Sequence, residues 1–152
     1  MKQYIGTKLI EAEPCPAWKD FGKHKTGDIG YKVRYPDGYG SWYPADVFER
    51  AYLPLTINEN LRTNAPSISQ EMVDDFIQET WTQTLGNKCT VVRAKLRNGF
   101  EIVESSACVS AENYDENLGH EICMEKIKDK VWLLLGFLLQ TAVGGVYDGR
   151  GC

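Results

Sequence analysis

Between two strand-like runs of this chain stands Asn98-Gly99, with Val91 to Arg97 before it and Phe100 to Val109 after it. Both central positions of a type I′ hairpin turn need φ > 0, and Asn and Gly tolerate that best. A two-residue turn at this point sets Arg97 opposite Phe100, Lys95 opposite Ile102 and Arg93 opposite Glu104. These six side chains share one sheet face, because side chains alternate with period 2. The other face carries Val92, Ala94, Leu96, Val103, Ala107 and Val109, with Glu101 as its one charged member, and is expected to be the core side.

The outward face is basic and carries an aromatic ring. Guanidinium groups bind phosphate bidentately and rings stack on bases, so Phe100 with Arg93 and Arg97 is a candidate nucleotide-binding set. A second reading of the same residues is structural: Arg93 and Glu104 form an ordinary cross-strand ion pair, and Phe100 packs under another subunit or the amino-terminal module.

Partners are narrowed by charge. The chain has 152 residues, is 43% hydrophobic and 25% charged, and carries a net charge of −4. Those proportions belong to a globular protein with one core or two small ones. Residues 1 to 66 hold 9 basic and 8 acidic residues, and residues 67 to 152 hold 8 and 13, so no basic domain or stripe exists and long nucleic acid is not an expected partner. Five cysteines, at 15, 89, 108, 123 and 152, form no C-x-x-C pair and are odd in number, which predicts reduced thiols, no disulfide framework and no zinc knuckle. No charged leader with an apolar run opens the sequence, so no signal peptide is expected. The apolar run Val131 to Leu139 falls well short of the roughly 20 residues that cross a bilayer, and no membrane span is expected.

Two modules are expected. In residues 1 to 53, Tyr4 to Ile10 and Ile29 to Tyr35 alternate as strands, and Pro36-Asp37-Gly38 turns the chain into Tyr39 to Tyr43. Pro44 then opens a short helix through Tyr52. The nine aromatic residues from Trp18 to Tyr52 exceed what so small a core can bury, so some are expected to face a partner, a ligand or the second module. Residues 54 to 66, rich in Asn and Thr and bracketed by prolines, read as a linker.

The second module spans residues 67 to 145. Ser67 with Gln70 forms a capping-box pattern, and Ile68, Met72, Val73, Phe76, Ile77 and Trp81 recur at helical spacing, predicting a helix over 69–84. After the hairpin and a polar loop at 110–117, a helix is predicted from Leu118 to Val143, stopped by Gly144-Gly145. Its half from Val131 to Leu139 is apolar around the whole circumference, which predicts burial against another subunit, in a homo-oligomer of two or more chains joined through Val131 to Val143. Gly136 inside that run costs about 1 kcal/mol relative to Ala, and predicts either a break between two helices or a close helix approach. Residues 146 to 152 read as a flexible tail. The fold class is α+β: a strand-rich amino-terminal module, then helix, β-hairpin and a long helix or helix pair.

Common catalytic signatures are missing. His24 and His120 are the only histidines, and no phosphate-binding loop, G-x-S-x-G or G-x-G-x-x-G motif occurs, so no metal or cofactor is expected. Glu101, Glu104, Glu112, Asp115 and Glu116 crowd the hairpin and loop, and serve equally as a solvated surface or an acid and base pair. Asn113-Tyr114-Asp115 offers an amide for a base edge, a ring and an acceptor for ribose hydroxyls, although Asn and Asp also favour turns and helix starts for local reasons. Lys126 and Lys130, one helical turn apart, can reach one anion, or form a solvated face with Lys128, Glu125 and Asp129.

The segment Asn98-Gly-Phe-Glu-Ile-Val-Glu-Ser-Ser-Ala-Cys-Val109, followed by Glu112-Asn-Tyr-Asp-Glu116, Gly119-His-Glu-Ile122 and Lys130-Val-Trp-Leu-Leu-Leu-Gly136, resembles a family of small bacteriophage proteins. It is similar to the first type of Thoeris anti-defence protein, a sponge for cyclic ADP-ribose isomers made by bacterial TIR enzymes. Residues 1 to 52, with Tyr35-Pro-Asp-Gly38 and Ser41-Trp-Tyr-Pro44, look like a module common in phage proteins. The resemblance implies a non-enzymatic oligomer in the host bacterial cytoplasm that sequesters a cyclic nucleotide messenger, with cyclic oligonucleotides as further ligands. It carries Phe100 over as a stacking residue, and Asn113 with Asp115 as base and ribose contacts. Family pockets also use arginines from the far helix, where this chain has only Lys126, Lys128 and Lys130. An adaptor that inhibits a host protein, and an enzyme that degrades the messenger, are the alternatives.

Overall fold

The computed structural model describes residues 1–147. Two antiparallel sheets of three strands each, together with three helices, make an α+β protein whose amino-terminal part is strand-rich. Contacts divide the chain into two compact units, one of Met1–Pro54 with the residues from Leu139, the other Leu55–Leu138.

In the first unit, β1 (Glu11–Pro14), β2 (Gly30–Arg34) and β3 (Gly40–Pro44) pair in that order, and α1 (Ala45–Ala51) follows. Tyr4 to Ile10, expected to be a strand, lies outside regular structure, and the first strand begins at Glu11. Cross-strand partners explain the shift: Glu11 stands opposite Arg34 and Glu13 opposite Lys32, each in an ion pair, which the apolar alternation of Tyr4 to Ile10 does not offer. Gly30 is required by packing, since a Cβ there would lie 2.3 Å from the Trp42 ring and 2.2 Å from the Tyr43 carbonyl oxygen. Trp42 is buried, with its indole N–H donating to the Cys15 carbonyl at 2.8 Å. The aromatic residues in excess of this small core largely stack on one another. Phe21 lies on Trp42, and Tyr31, Phe48 and Tyr52 form a column with centroid spacings of 4.1 and 4.9 Å.

In the second unit, α2 (Gln70–Phe76) is followed directly by β4 (Ile77–Leu85), β5 (Cys89–Leu96) and β6 (Glu101–Ala107), paired in that order. The expected helix over 69–84 thus ends at Phe76. Its second half is Ile-Gln-Glu-Thr-Trp-Thr-Gln-Thr-Leu, whose β-branched and aromatic residues suit a pleated strand better than a helix. The cap of α2 is Ser69, whose Oγ accepts from the Met72 amide at 3.2 Å, and not Ser67. Gly86 and Asn87 turn β4 into β5, with Gly86 at φ +64°.

The hairpin at Asn98-Gly99 is not type I′. Asn98 keeps a negative φ and its side chain accepts from the Phe100 amide at 3.1 Å, while only Gly99 is left-handed, at φ +87°. The Gly99 amide donates to Leu96 O and the Leu96 amide to Phe100 O, which makes a type I turn with a glycine bulge. The loop is one residue longer than expected. Lys95 therefore faces Glu101, Arg93 faces Val103, and Val92 faces Glu104. A one-residue slip sends every side chain of a strand to the other face. Ile102, Glu104 and Ser106 point inward, and Val103 and Ala107, expected in the core, are exposed together with Val109 beyond the strand. Arg93 pairs with Glu101 at 3.2 Å rather than with Glu104, and lies over the Trp81 ring.

The last helix, α3 (Glu116–Gly144), runs unbroken for 29 residues and ends at Gly145, whose amide donates to Thr141 O at φ +74°. Gly136 marks no break, and within this chain no neighbouring element lies within 4 Å of a Cβ placed there. Gly119, Cys123, Ile127, Val131 and Leu135 form its buried row, four residues apart. With Val92, Ala94, Leu96 and Ile102 of the sheet and Met72 and Val73 of α2, they make up the core of this unit. Residues 148 to 152 of the expected flexible tail lie outside the described residues.

Candidate functional site

Helix α3 can approach the sheet closely at one point only because residue 119 is glycine. A Cβ there would fall 2.1 Å from Thr90 Oγ1 and 2.7 Å from Thr90 Cβ. Thr90 is fully buried, and stands directly opposite Thr84 across the β4–β5 pair. The Tyr114 hydroxyl reaches both, at 2.9 Å from Thr90 Oγ1 and 2.6 Å from Thr84 Oγ1. Thr84 in turn donates to the Glu116 carboxylate. Because Thr84 spends its one proton on Glu116, the order that satisfies every group is Thr90 to Tyr114 to Thr84 to Glu116.

This chain of hydroxyls ties the loop before α3 to the sheet. A single 3₁₀ turn, Ala111–Asn113, is capped by Ser110 Oγ, which accepts from the Glu112 amide. Asp115 caps α3, its Oδ1 accepting from the Leu118 amide at 3.1 Å. Tyr114 points inward between Asn113 and Asp115, and its two exposed neighbours border a small cleft of about 90 Å³. The other walls include Lys88, Ser106 and Cys108 on the sheet side, and Leu118 and Ile122 on α3. Lys88 Nζ donates to Val109 O at 3.2 Å, which keeps the ammonium at the edge of the same loop. Below the cleft, burial pushes the Cys123 thiol up, and its Sγ lies 3.8 Å from Thr90 O.

Of the residues expected to bind ligand, the fold brings Asn113 and Asp115 together in this cleft. Arg97 and Phe100 sit at the turn of the β5–β6 hairpin, the far end of a seven-residue strand, about 20 Å away at 3.3 Å per residue. Phe100 is 55% exposed there. Arg93 lies on the outward sheet face. Lys126 donates to Ser105 O at 2.8 Å and Lys130 pairs with Glu104, so both tie α3 to β6, and Lys128 ties it to Asp74 of α2 at 2.8 Å. The lysine ammonium beside Asp74 holds that carboxyl below the usual carboxylate range. The partners expected for these lysines on α3 itself, Glu125 and Asp129, are thus replaced by β6 and α2.

Sequence reasoning passed over Tyr114 as an anchor, Thr84 and Thr90 as its partners, and Gly119 as the close-approach point. The one available signal was the glycine in the first turn of a long helix, where helix propensity disfavours it. Among the described residues no group of three or more His, Cys, Asp or Glu is placed to hold a metal ion. No helix among them is long and apolar enough to cross a membrane.

The model of the phage protein (N4 Gp49/phage Sf6 gene 66) family matches residues 68–143, half of the chain. The chain belongs to this family. The family region runs from the start of α2 through nearly all of α3, and contains the sheet β4–β6, the cleft and every candidate ligand residue. The strands β1–β3 and helix α1 lie outside it. No match is found among curated proteins, and none among solved structures.

Proposed function

We propose that the family region is a non-catalytic receptor for a small cyclic nucleotide messenger, a cyclic ADP-ribose isomer in the first instance, and that the protein defeats host immunity by sequestering that messenger. The observation that carries this reading is the composition of the cleft at the start of α3. The amide of Asn113, the carboxylate of Asp115, the ammonium of Lys88 and the apolar wall of Leu118 and Ile122 converge on one hollow. Such a set suits a base edge, ribose hydroxyls, a phosphate and a sugar face in turn.

The hollow of about 90 Å³ is well below the roughly 300 Å³ at which small-molecule pockets begin. One protomer therefore encloses only a fragment of the messenger, and a second copy completes the pocket. Leu133, Leu134 and Leu138 of α3 are exposed, Leu133 at 71%, and supply apolar area for that pairing. A two-fold pairing puts the same patch on both copies, so that opposite ends of the two sheets can share one pocket, and the hairpin tip with Phe100 and Arg97 supplies a stacking ring and a guanidinium beside the Lys88 ammonium. Cleavage has little support: Asp115 is engaged in capping α3, and His120 Nδ1 is held by Thr82 Oγ1 at 2.7 Å. Sequestering a submicromolar messenger needs a Kd well below about 1 μM, or about −8 kcal/mol.

The test is to incubate the purified protein with cyclic ADP-ribose isomers and cyclic di- and trinucleotides, filter, denature the retained fraction by heat and weigh both fractions by mass spectrometry. Ligand lost from the filtrate and returned intact supports the sponge. Converted ligand makes the protein an enzyme, and untouched ligand sends the search to a host protein partner.

A further inference from the structure

We infer that Tyr114 is the positioning residue of this site, a post whose hydroxyl fixes the flanking Asn113 and Asp115 at the mouth of the cleft; the consequence for ligand rests on the nucleotide reading above, while the anchoring itself does not. Tyr114 is the one residue of the exposed stretch 111–115 that turns inward. Its hydroxyl meets two threonines that lie opposite each other on neighbouring strands, at 2.6 and 2.9 Å. One of them, Thr90, is fully buried and packs against Gly119 of α3. The other, Thr84, passes the chain of hydrogen bonds to Glu116, in the first turn of α3. A single phenol thus joins β4, β5 and the start of α3 to the loop that carries the candidate ligand groups.

Lys88 Nζ, donating to Val109 O, holds the start of the loop, and the bonds within it are local: the Glu112 amide to Ser110 Oγ, the Asn113 amide to Ser110 O, the Tyr114 amide to Ala111 O, and the Leu118 amide to Asp115. Local bonds of this kind shape a turn but do not fix where it sits on the sheet. The Tyr114 hydroxyl does. The ring of a phenylalanine keeps the packing and removes only that tie, leaving Thr90 a buried donor in search of an acceptor. The loop is then free to shift on the sheet while the aliphatic row of α3 stays in place.

Tyr114→Phe and Thr84→Val are the two variants, because both remove the Tyr114–Thr84 bond, while the first also frees Thr90 and the second Glu116. Hydrogen exchange of the ligand-free protein is read first. The expected result is exchange faster at the amides of residues 112–115 by about tenfold more than any rise at those of β5 and of α3 from Cys123 to Leu135. Exchange unchanged in the loop, or raised by the same factor throughout, overturns the inference, the second because it makes Tyr114 an ordinary contributor to stability. Affinity is then read for whichever cyclic ADP-ribose isomer or cyclic oligonucleotide the parent protein retains. A loss of about tenfold in each variant, with Ile127→Val at a similar fall in melting midpoint keeping full affinity and the double variant no weaker than Tyr114→Phe alone, supports it. Full affinity in Tyr114→Phe overturns it. Should the parent retain no nucleotide, the proposed function falls, and the exchange result alone decides for or against Tyr114 as the anchor.

Discussion

The two sheets share their connectivity and their turn, and differ in what holds them. Tyr35 to Tyr39 and Leu96 to Phe100 make the same bonds: the first residue's amide donates to the fifth residue's carbonyl, the fourth's amide to the first's carbonyl, and the fifth's amide to the Asp37 or Asn98 side chain. Gly38 and Gly99 occupy the left-handed position at φ +86° and +87°. Around these matching hairpins the cores diverge. In the first unit the only buried hydrophobic residues among those described are Ala17, Val33 and Trp42, supplemented by half-buried stacked rings. In the second, eleven aliphatic or sulfur-bearing residues from Ile68 to Leu135 are buried. A hairpin is thus a local decision, and what it packs against is not. The aromatic unit lies outside the family region, and the aliphatic unit, with a polar cleft at one end of its core, contains the candidate site.

The largest effects are expected where only one unit has the feature. Ile127→Ala empties a fully buried position in the aliphatic row of α3, and should cost about 3 kcal/mol, read as a fall in the urea midpoint with hydrogen exchange raised in β4–β6. Stacking in the first unit should keep β1–β3 protected in that variant. If both sheets open together, the two cores are not separate. The glycines of close approach sharpen the same contrast. Gly30→Ala drives a Cβ into a backbone oxygen and an indole ring, at 2.2 and 2.3 Å, and is expected to cost about 3 kcal/mol. Gly119→Ala meets a threonine side chain instead and should cost about 2 kcal/mol. Thr90→Ala relieves the 2.1 Å contact to Oγ1 but not the 2.7 Å contact to Cβ, so the double variant regains only part of that loss in thermal unfolding.

Where the units agree, the effects should agree. Gly38→Ala and Gly99→Ala each place a Cβ in the left-handed region, with nothing within 4 Å to clash, and each is expected to cost about 1 kcal/mol by chemical denaturation. Unequal losses would mean that the turns are not equivalent. The smallest effect belongs to Asp74, whose carboxyl is lowered chiefly by its bond to Lys128. A lowered carboxyl stabilises the fold above its unfolded value, and that contribution disappears as the pH falls below about 4. Since both partners are well exposed, Lys128→Met should cost about 0.5 kcal/mol at pH 7 and nothing at pH 2, checked by denaturant midpoints at the two values.

Much of the frame was legible. The strands β2 and β3, the short helix behind Pro44 and the long final helix ended by glycine follow from alternation, turn residues and caps, which act within a few residues of themselves. Ile77 to Leu85 misled because Ile77 and Trp81 extend the helical spacing of α2, whereas Thr80, Thr82 and Thr84 pair with β5. Of the site, Asn113, Tyr114 and Asp115 were legible as loop residues, and all three line the cleft, but the tie of the Tyr114 hydroxyl to the sheet was not legible, because its threonine partners lie 24 and 30 residues away.

Sequence by itself determined that this chain has two strand-bearing parts, a turn at Asn98-Gly99 and a long helix with an apolar half, because propensity, capping and turn chemistry are local. Tertiary structure decided the register of β6, the face that Glu104 and Phe100 occupy, and the work of Lys126 and Lys130. One residue of loop length inverts a strand, and whether the Glu104 carboxylate finds its lysine depends on where a later helix carries Lys130.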